Sequence, residues 1–453
     1  MDRIIDGYMK FLDNCKTERR AAAEIIKRAN AAGYRNINDV NSLKAGDKVY
    51  YEKMGKSVIL FEIGSDCISK GMNILGAHID SPRLDIKQSP VYEKDGLVYF
   101  NTHYYGGIKK YQWLTIPLTL CGCVFLTDGR CVDINIGDGE DDPVFYISDI
   151  LPHAAQEQMK KTASEFVEGE KLDIIAGSRS GSSVKDEKKD IAKKNILALL
   201  KKNYGIEEED FASAELEVVP SGKTRFVGFD KSLILGYGQD DRVCAYTSLE
   251  AMLASKAGER TNCCILVDKE EIGSYGATGM NSHILDNALA EVISLLQSAD
   301  CGCKEKERRL SPELVLRRSL ANSYMLSSDV NSAYDPLNPE LYDRQNSSFL
   351  GGGVVFNKYT GARGKSGASD ANPEFIAKIR GRLTEDKVTF QYGELSKVDG
   401  GGGGTIAHYA AEFGLSVIDC GVPVHSMHAP WELTSVFDVK QAFAGYCSFL
   451  KLK

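Results

Sequence analysis

The sequence predicts an α/β protein interrupted by an inserted β-rich domain, and three observations carry that prediction. Short apolar runs of the kind found in buried strands recur at Asn73–Ala77, Cys263–Val267, Tyr324–Ser328 and Leu415–Cys420, with helical patterns between them. From about Ser89 to Gly236 the texture changes to alternating strand-like runs such as Leu97–Asn101 and Leu118–Leu126, separated by turn residues. At 453 residues the chain also exceeds what one hydrophobic core usually supports. These observations divide it into a domain made of 1–88 and 236–453, and an insertion spanning 89–235.

The first stretch reads as a helix pair. Ile4, Ile5, Tyr8, Met9, Phe11 and Leu12 share one face, Thr17 caps the second helix and Gly33 ends it. Lys48–Lys53 and Ser57–Ile63 form a hairpin pattern, and the strand at Asn73–Ala77 runs straight into His78. Inside the insertion, Val184–Lys202 sets Ile191, Ile196, Leu197, Leu199 and Leu200 among lysines and acids, an exposed amphipathic helix. Thr247–Leu253 is predicted helical.

Composition and charge exclude several classes. A net charge of −8 without a continuous basic stretch lacks the footprint of a nucleic-acid binder. No apolar run reaches the ~18 residues of a membrane span, and MDRIIDGYMKFLDN places acids within an amphipathic pattern rather than a basic leader. The expectation is a cytoplasmic protein. Its 12 cysteines show no paired-knuckle spacing, which favours buried free thiols over a structural zinc site.

Metal-liking side chains stand at the ends of the apolar strands, where open α/β sheets place their sites. In GAHIDSP, His78 and Asp80 leave the same face of an extended chain, so the carboxylate can hold one ring nitrogen while the other binds metal. Alone, the pair reads more readily as a buried, hydrogen-bonded core histidine. In GYGQDDRVCAY, Asp240 and Asp241 precede a helix, as an N-cap and first-turn acid also would. The strand CCILV ends at Asp268, Glu270 and Glu271. Consecutive glutamates on an extended backbone point opposite ways, one towards a metal and the other towards a water as general base. YMLSSD contributes Asp329, and GVPVHSMHAPWE contributes His425 and His428. Together these nitrogen and oxygen donors suit zinc, manganese or cobalt.

In this order the motifs GAHIDSPRLD, DKEEIGS, SSD and SMHAPWE, with HYYGGI in the insertion, resemble the aminopeptidase I / aspartyl aminopeptidase family of co-catalytic zinc metallopeptidases over most of the chain. The resemblance implies a mixed-sheet, zinc exopeptidase-like α/β domain carrying two divalent metal ions, most simply zinc. It assigns His78, Asp240, Glu271, Asp329 and His428 as metal ligands, with Asp240 shared by both ions. It also makes Glu270 the general base and Asp80 the acid behind His78. Peptide substrates cleaved at the N-terminus and a homo-oligomer, a tetrahedral dodecamer built through the insertion, are implied as well.

Departures from the aspartyl branch bear on specificity. Asn331, Ser332 and Asp335 stand where that branch has histidines, and Lys109, Lys110, Tyr111 and Gln112 follow the Tyr-Gly-Gly stretch, implying broad or neutral preference. The run Gly400–Gly404 reads as a linker or as backbone that closely approaches a ligand. The resemblance makes the following Thr405 a substrate contact. ARGKSGAS is not a phosphate loop, since Tyr359 occupies the first glycine position, and Lys365 is a candidate contact for a substrate carboxyl group. The competing readings are another metal-dependent amide hydrolase on the same scaffold and a catalytically dead assembly protein. The full ligand set and base speak against the latter.

Overall fold

The computed structural model describes residues 3–178, 190–256, 258–297, 309–361 and 363–453. The chain divides into two compact units, one formed by Met1–Asp80, Thr224–Met427 and Glu432–Lys453, the other by Ser81–Lys223 with His428–Trp431.

The first unit is built on a mixed sheet with nine strands among the described residues. At its centre Met72–His78 runs parallel to Thr261–Val267 on one side and Tyr324–Ser328 on the other. Ser416–Gly421 continues the parallel set beyond Tyr324–Ser328, and Ser57–Glu62 joins Thr261–Val267 antiparallel. Alternation of side chains sends Leu75, Ala77, Cys264, Leu266, Leu326 and Ile418 into one core. Ile74, Cys263, Ile265, Met325 and Val417 enter the other. Because both faces are covered, these strands read as unbroken apolar runs.

Helices Arg3–Asn14, Glu18–Ala31, Gln239–Ala254 and Val436–Phe449 fill the first core; Ile284–Gln297, Pro312–Ala321 and Ala407–Glu412 fill the second. The cap expected at Thr17 is present, its side chain accepting the Arg20 amide. Burying one such aliphatic side chain contributes about 1.5–3 kcal/mol. A smaller sheet runs in the order Arg225–Val227, Leu233–Gly236, Glu432–Ser435, Pro423–His425, Asn331–Ser332.

The second unit is organised on a sheet ordered Cys131–Ile136, Leu118–Phe125, Ala214–Pro220, Arg83–Lys94, Leu97–Tyr105, Ile174–Ser178, antiparallel throughout. Its buried acid Asp173 receives Tyr92 Oη, Asn101 Nδ2 and the Thr102 amide, so both carboxyl oxygens are hydrogen-bonded. The charged helix runs over Ile191–Tyr204; the beginning of the stretch read as helical, up to 189, lies outside the described residues. Among the described residues no helix is long and apolar enough to cross a membrane, and the described cysteines are all free thiols.

Candidate metal centre

The register of the central strands explains why distant motifs meet. Val267 lies level with His78, and Ser327 with Gly76, so the parallel strands deliver His78, the Asp268–Glu271 turn and Asp329 to one edge of the sheet. Asp329 is fixed there by its amide, which donates to Cys420 O at 2.8 Å. Gly421 makes the approach possible. A Cβ on it would stand 1.7 Å from the Asp329 carbonyl oxygen.

His78 is buried and its two ring nitrogens face different partners. Nδ1 lies 3.1 Å from Asp80 O and 3.3 Å from Asp80 Oδ1. Nε2 lies 3.3 Å from Asp240 Oδ1, 3.9 Å from Asp329 Oδ1 and 4.0 Å from Glu270 Oε2. Asp80 does more than sit behind the ring: its Oδ1 accepts the Glu270 amide at 3.2 Å and its Oδ2 the Glu271 amide at 3.3 Å. One carboxylate thus orients both the imidazole and the two glutamates.

The glutamates themselves are not on extended chain. Lys269 takes a left-handed φ of 69°, reversing the backbone into a single 3-10 turn, Glu270–Ile272, which Gly273 closes at φ 94°. Their side chains diverge because successive residues of such a turn are about 120° apart, not because of the strand pleat. Asp240 and Asp241 likewise have non-helical backbone at the head of Gln239–Ala254.

Two groups of donor atoms result, His78 with Asp240 and Glu271, and His78 with Asp241 and Asp329, each with ligand atoms within 4.8 Å of one another. The resemblance assigns Asp240 and not Asp241; the structure brings both acids to His78. Asp241 Oδ2 accepts the His78 amide at 3.4 Å, and its buried Oδ1 has no hydrogen-bond partner among the described residues. Burial raises the Asp241 carboxyl well above its ordinary value, and the charge of Asp240 adds to this. Asp329 is raised by burial and then by Asp241. Burial opposes protonation of His78, but hydrogen bonding to Asp240 and Asp80 outweighs it and raises the imidazole. Crowded acids around a buried imidazole, with an orphaned carboxylate oxygen, are the donor chemistry of a divalent cation site, and the oxygen and nitrogen set fits zinc.

The remaining candidates have these places. His428 belongs to the second unit, where its Nδ1 lies 2.8 Å from Gly107 O; its own φ of 65° is left-handed, a conformation that clusters at functional sites. Neither donor group includes it. His425 Nε2 meets Tyr334 O at 3.0 Å. Lys365 lies 3.3 Å from Asp370 and 4.0 Å from the Tyr359 ring centroid. Thr405 donates its hydroxyl to the buried Asp419 and accepts the Ala407 amide at 3.2 Å, a side-chain turn just ahead of the helix Ala407–Glu412.

Burial pushes Asp419 from 3.8 up to about 7, with the Thr405 hydrogen bond opposing. The native carboxyl therefore holds a proton between about pH 4 and pH 7 where the unfolded chain does not, and stability falls as pH rises through that window. Asp419→Asn removes this dependence. Its stability relative to wild type is expected to improve progressively from pH 4 to about 7 and then level off. Denaturant midpoints of both proteins at several pH values check this; parallel curves would contradict it.

An α/β sheet that gathers an imidazole and several carboxylates at its strand ends has the makings of a metalloprotein of the α/β class. The chain belongs to the aminopeptidase I zinc metalloprotease (M18) family, whose model matches residues 11–450. A probable M18 family aminopeptidase 1 from Clostridium acetobutylicum is 53% identical over 450 residues, covering 98% of this chain and 94% of the relative. The crystal structure of an M18-family aminopeptidase from Thermotoga maritima superposes with a TM-score of 0.92 at 42% identity, covering 99% of this chain and 96% of that one. The mApe1 dodecamer from Saccharomyces cerevisiae shares the fold at TM-score 0.77 and 20% identity, covering 99% and 96% of the two chains. The activity is that of a zinc metalloaminopeptidase, a hydrolase acting at peptide N-termini.

Proposed function

We propose that the aminopeptidase works through a dinuclear centre with Glu270 as general base and takes short peptides with broad or neutral N-terminal residues. The observation that carries this reading is His78 Nε2 standing among Asp240, Glu270 and Asp329 while Asp80 holds the other nitrogen. His78, Asp240, Glu271 and Asp329 would hold two divalent ions. Asp241 accepts the His78 main-chain amide and so braces the backbone of that residue. Bound there, zinc supplies Lewis-acid polarisation of the peptide carbonyl and acidifies water.

Glu270 then accepts the proton of the attacking water at Oε2 and delivers it to the departing amine nitrogen. Asp80 keeps that carboxylate in place by holding the Glu270 amide. The lean towards neutral residues is supported by the loop after Asp329. Asn331 accepts the Ser348 hydroxyl, and Ser332 shares a hydrogen bond with Tyr342, so both are engaged in packing the loop.

A panel of aminoacyl chromogenic substrates tests this. Neutral residues should be cleaved faster than aspartyl, and acetylating the amino group should abolish turnover. Acetylated substrates cleaved at comparable rates would favour a deacylase-type amide hydrolase instead.

The insertion would make the homo-oligomer contacts, up to a tetrahedral dodecamer. It exposes Val144, Tyr146, Ile150, Leu151 and Met159, at 40–69% of their surface, within one short stretch. Such exposed apolar surface marks association sites. Size-exclusion with light scattering should give a mass well above the 49.7 kDa chain; a monomer only would remove this part.

A further inference from the structure

The N-terminal helix Arg3–Asn14 reaches the residue beside Asp240. Tyr8, fully buried on that helix, donates its hydroxyl to Gln239 Oε1 at 2.9 Å. The Gln239 amide in turn donates to Glu432 O at 2.5 Å and Ile234 O at 3.2 Å, closing a fully buried bracket immediately before the acid. Asp240 itself is held by its own amide, which donates to Glu432 Oε2 at 3.1 Å. Glu432 is 1% exposed and sits opposite Gly236 in the small sheet, so its carboxylate is anchored on a paired strand. Burial and then the Glu432 charge raise the Tyr8 phenol well above its ordinary value, which keeps it a donor.

We infer that Tyr8, Gln239 and Glu432 form a positioning relay that sets the carboxylate of Asp240, making the first helix a working part of the metal centre rather than core packing alone. The physical reason lies in the backbone. Asp240 and Asp241 have non-helical φ/ψ at the head of their helix, where the first amides have no partner within the helix, so side chains such as Glu432 that bond the segment from outside help to place it. Gln239 is the point where that bracing enters, and Tyr8 supplies a hydroxyl bond to it from the first helix. The relay rests on Asp240 being a metal ligand.

The structure also provides a matched control. Tyr246, whose ring packs against that of Tyr8 with centroids 5.6 Å apart, joins the same two helices by a hydrogen bond of similar length, its hydroxyl donating to Ile4 O at 3.0 Å rather than to Gln239. Tyr8→Phe and Tyr246→Phe each delete one hydroxyl from the same helix pair. Zinc affinity of the full-length proteins, read by competition with a chromophoric chelator, should weaken about tenfold or more in Tyr8→Phe. At saturating metal, kcat of Tyr8→Phe should fall while KM changes little. Tyr246→Phe should match wild type in both. Equal zinc affinity in Tyr8→Phe and wild type, or equal losses in the two variants, overturns the relay. Asp240→Asn separates the underlying assumption: if it binds zinc as tightly as wild type, Asp240 as a metal ligand falls and takes the relay with it. If it loses zinc while Tyr8→Phe does not, only the relay falls.

Discussion

Glu270→Gln is expected to bind zinc as wild type does and to lose turnover by about 10²–10⁴-fold. The substitution keeps the shape of the side chain but removes the oxygen that takes a proton. It leaves the support intact, because Asp80 holds residue 270 through the main-chain amide rather than the carboxylate. The effect should therefore fall on kcat, with metal content and KM close to wild type. Near-normal kcat would move the base to another residue.

His78→Ala is expected to have a larger effect on metal. His78 presents Nε2 to Asp240 and Asp329, so its loss removes the imidazole donor from the centre, and it also leaves Asp80 without the ring it orients. Stripping wild type with a chelator should reduce activity to background, and added zinc should restore it. His78→Ala should start at background and stay there at the same zinc concentration. Recovery by the variant would mean that the carboxylates alone suffice.

Much of the architecture is legible in the sequence for a simple reason: a strand buried on both faces is apolar along its whole length. Tyr324–Ser328 is read at its observed limits, and the strand ending at His78 is read to within a residue. The identity of the acids at each strand end is equally visible, because the chemistry resides in the side chains themselves. Other features depend on backbone that leaves little trace in residue type. The Glu270–Ile272 turn needs a left-handed Lys269, a conformation that nothing in the lysine announces. Strands of two to four residues such as Asn331–Ser332 and Pro423–His425 are too short to show a period.

Tyr8 is a sharper case. On an apolar helix face it reads as core, and it is core; its bond to Gln239, 231 positions away, can be found only in three dimensions. The second partner of Asp80 was hidden for the same reason, since a carboxylate two residues from a histidine accounts for the ring but not for amides contributed some 190 residues later.

The most direct test is metal stoichiometry at saturation, measured by elemental analysis of dialysed wild type beside His78→Ala and Asp240→Asn. Two zinc ions per chain in wild type, falling in both variants, is the predicted result. One ion or none in wild type, or variants that retain the full complement, would contradict a paired-metal centre at these strand ends.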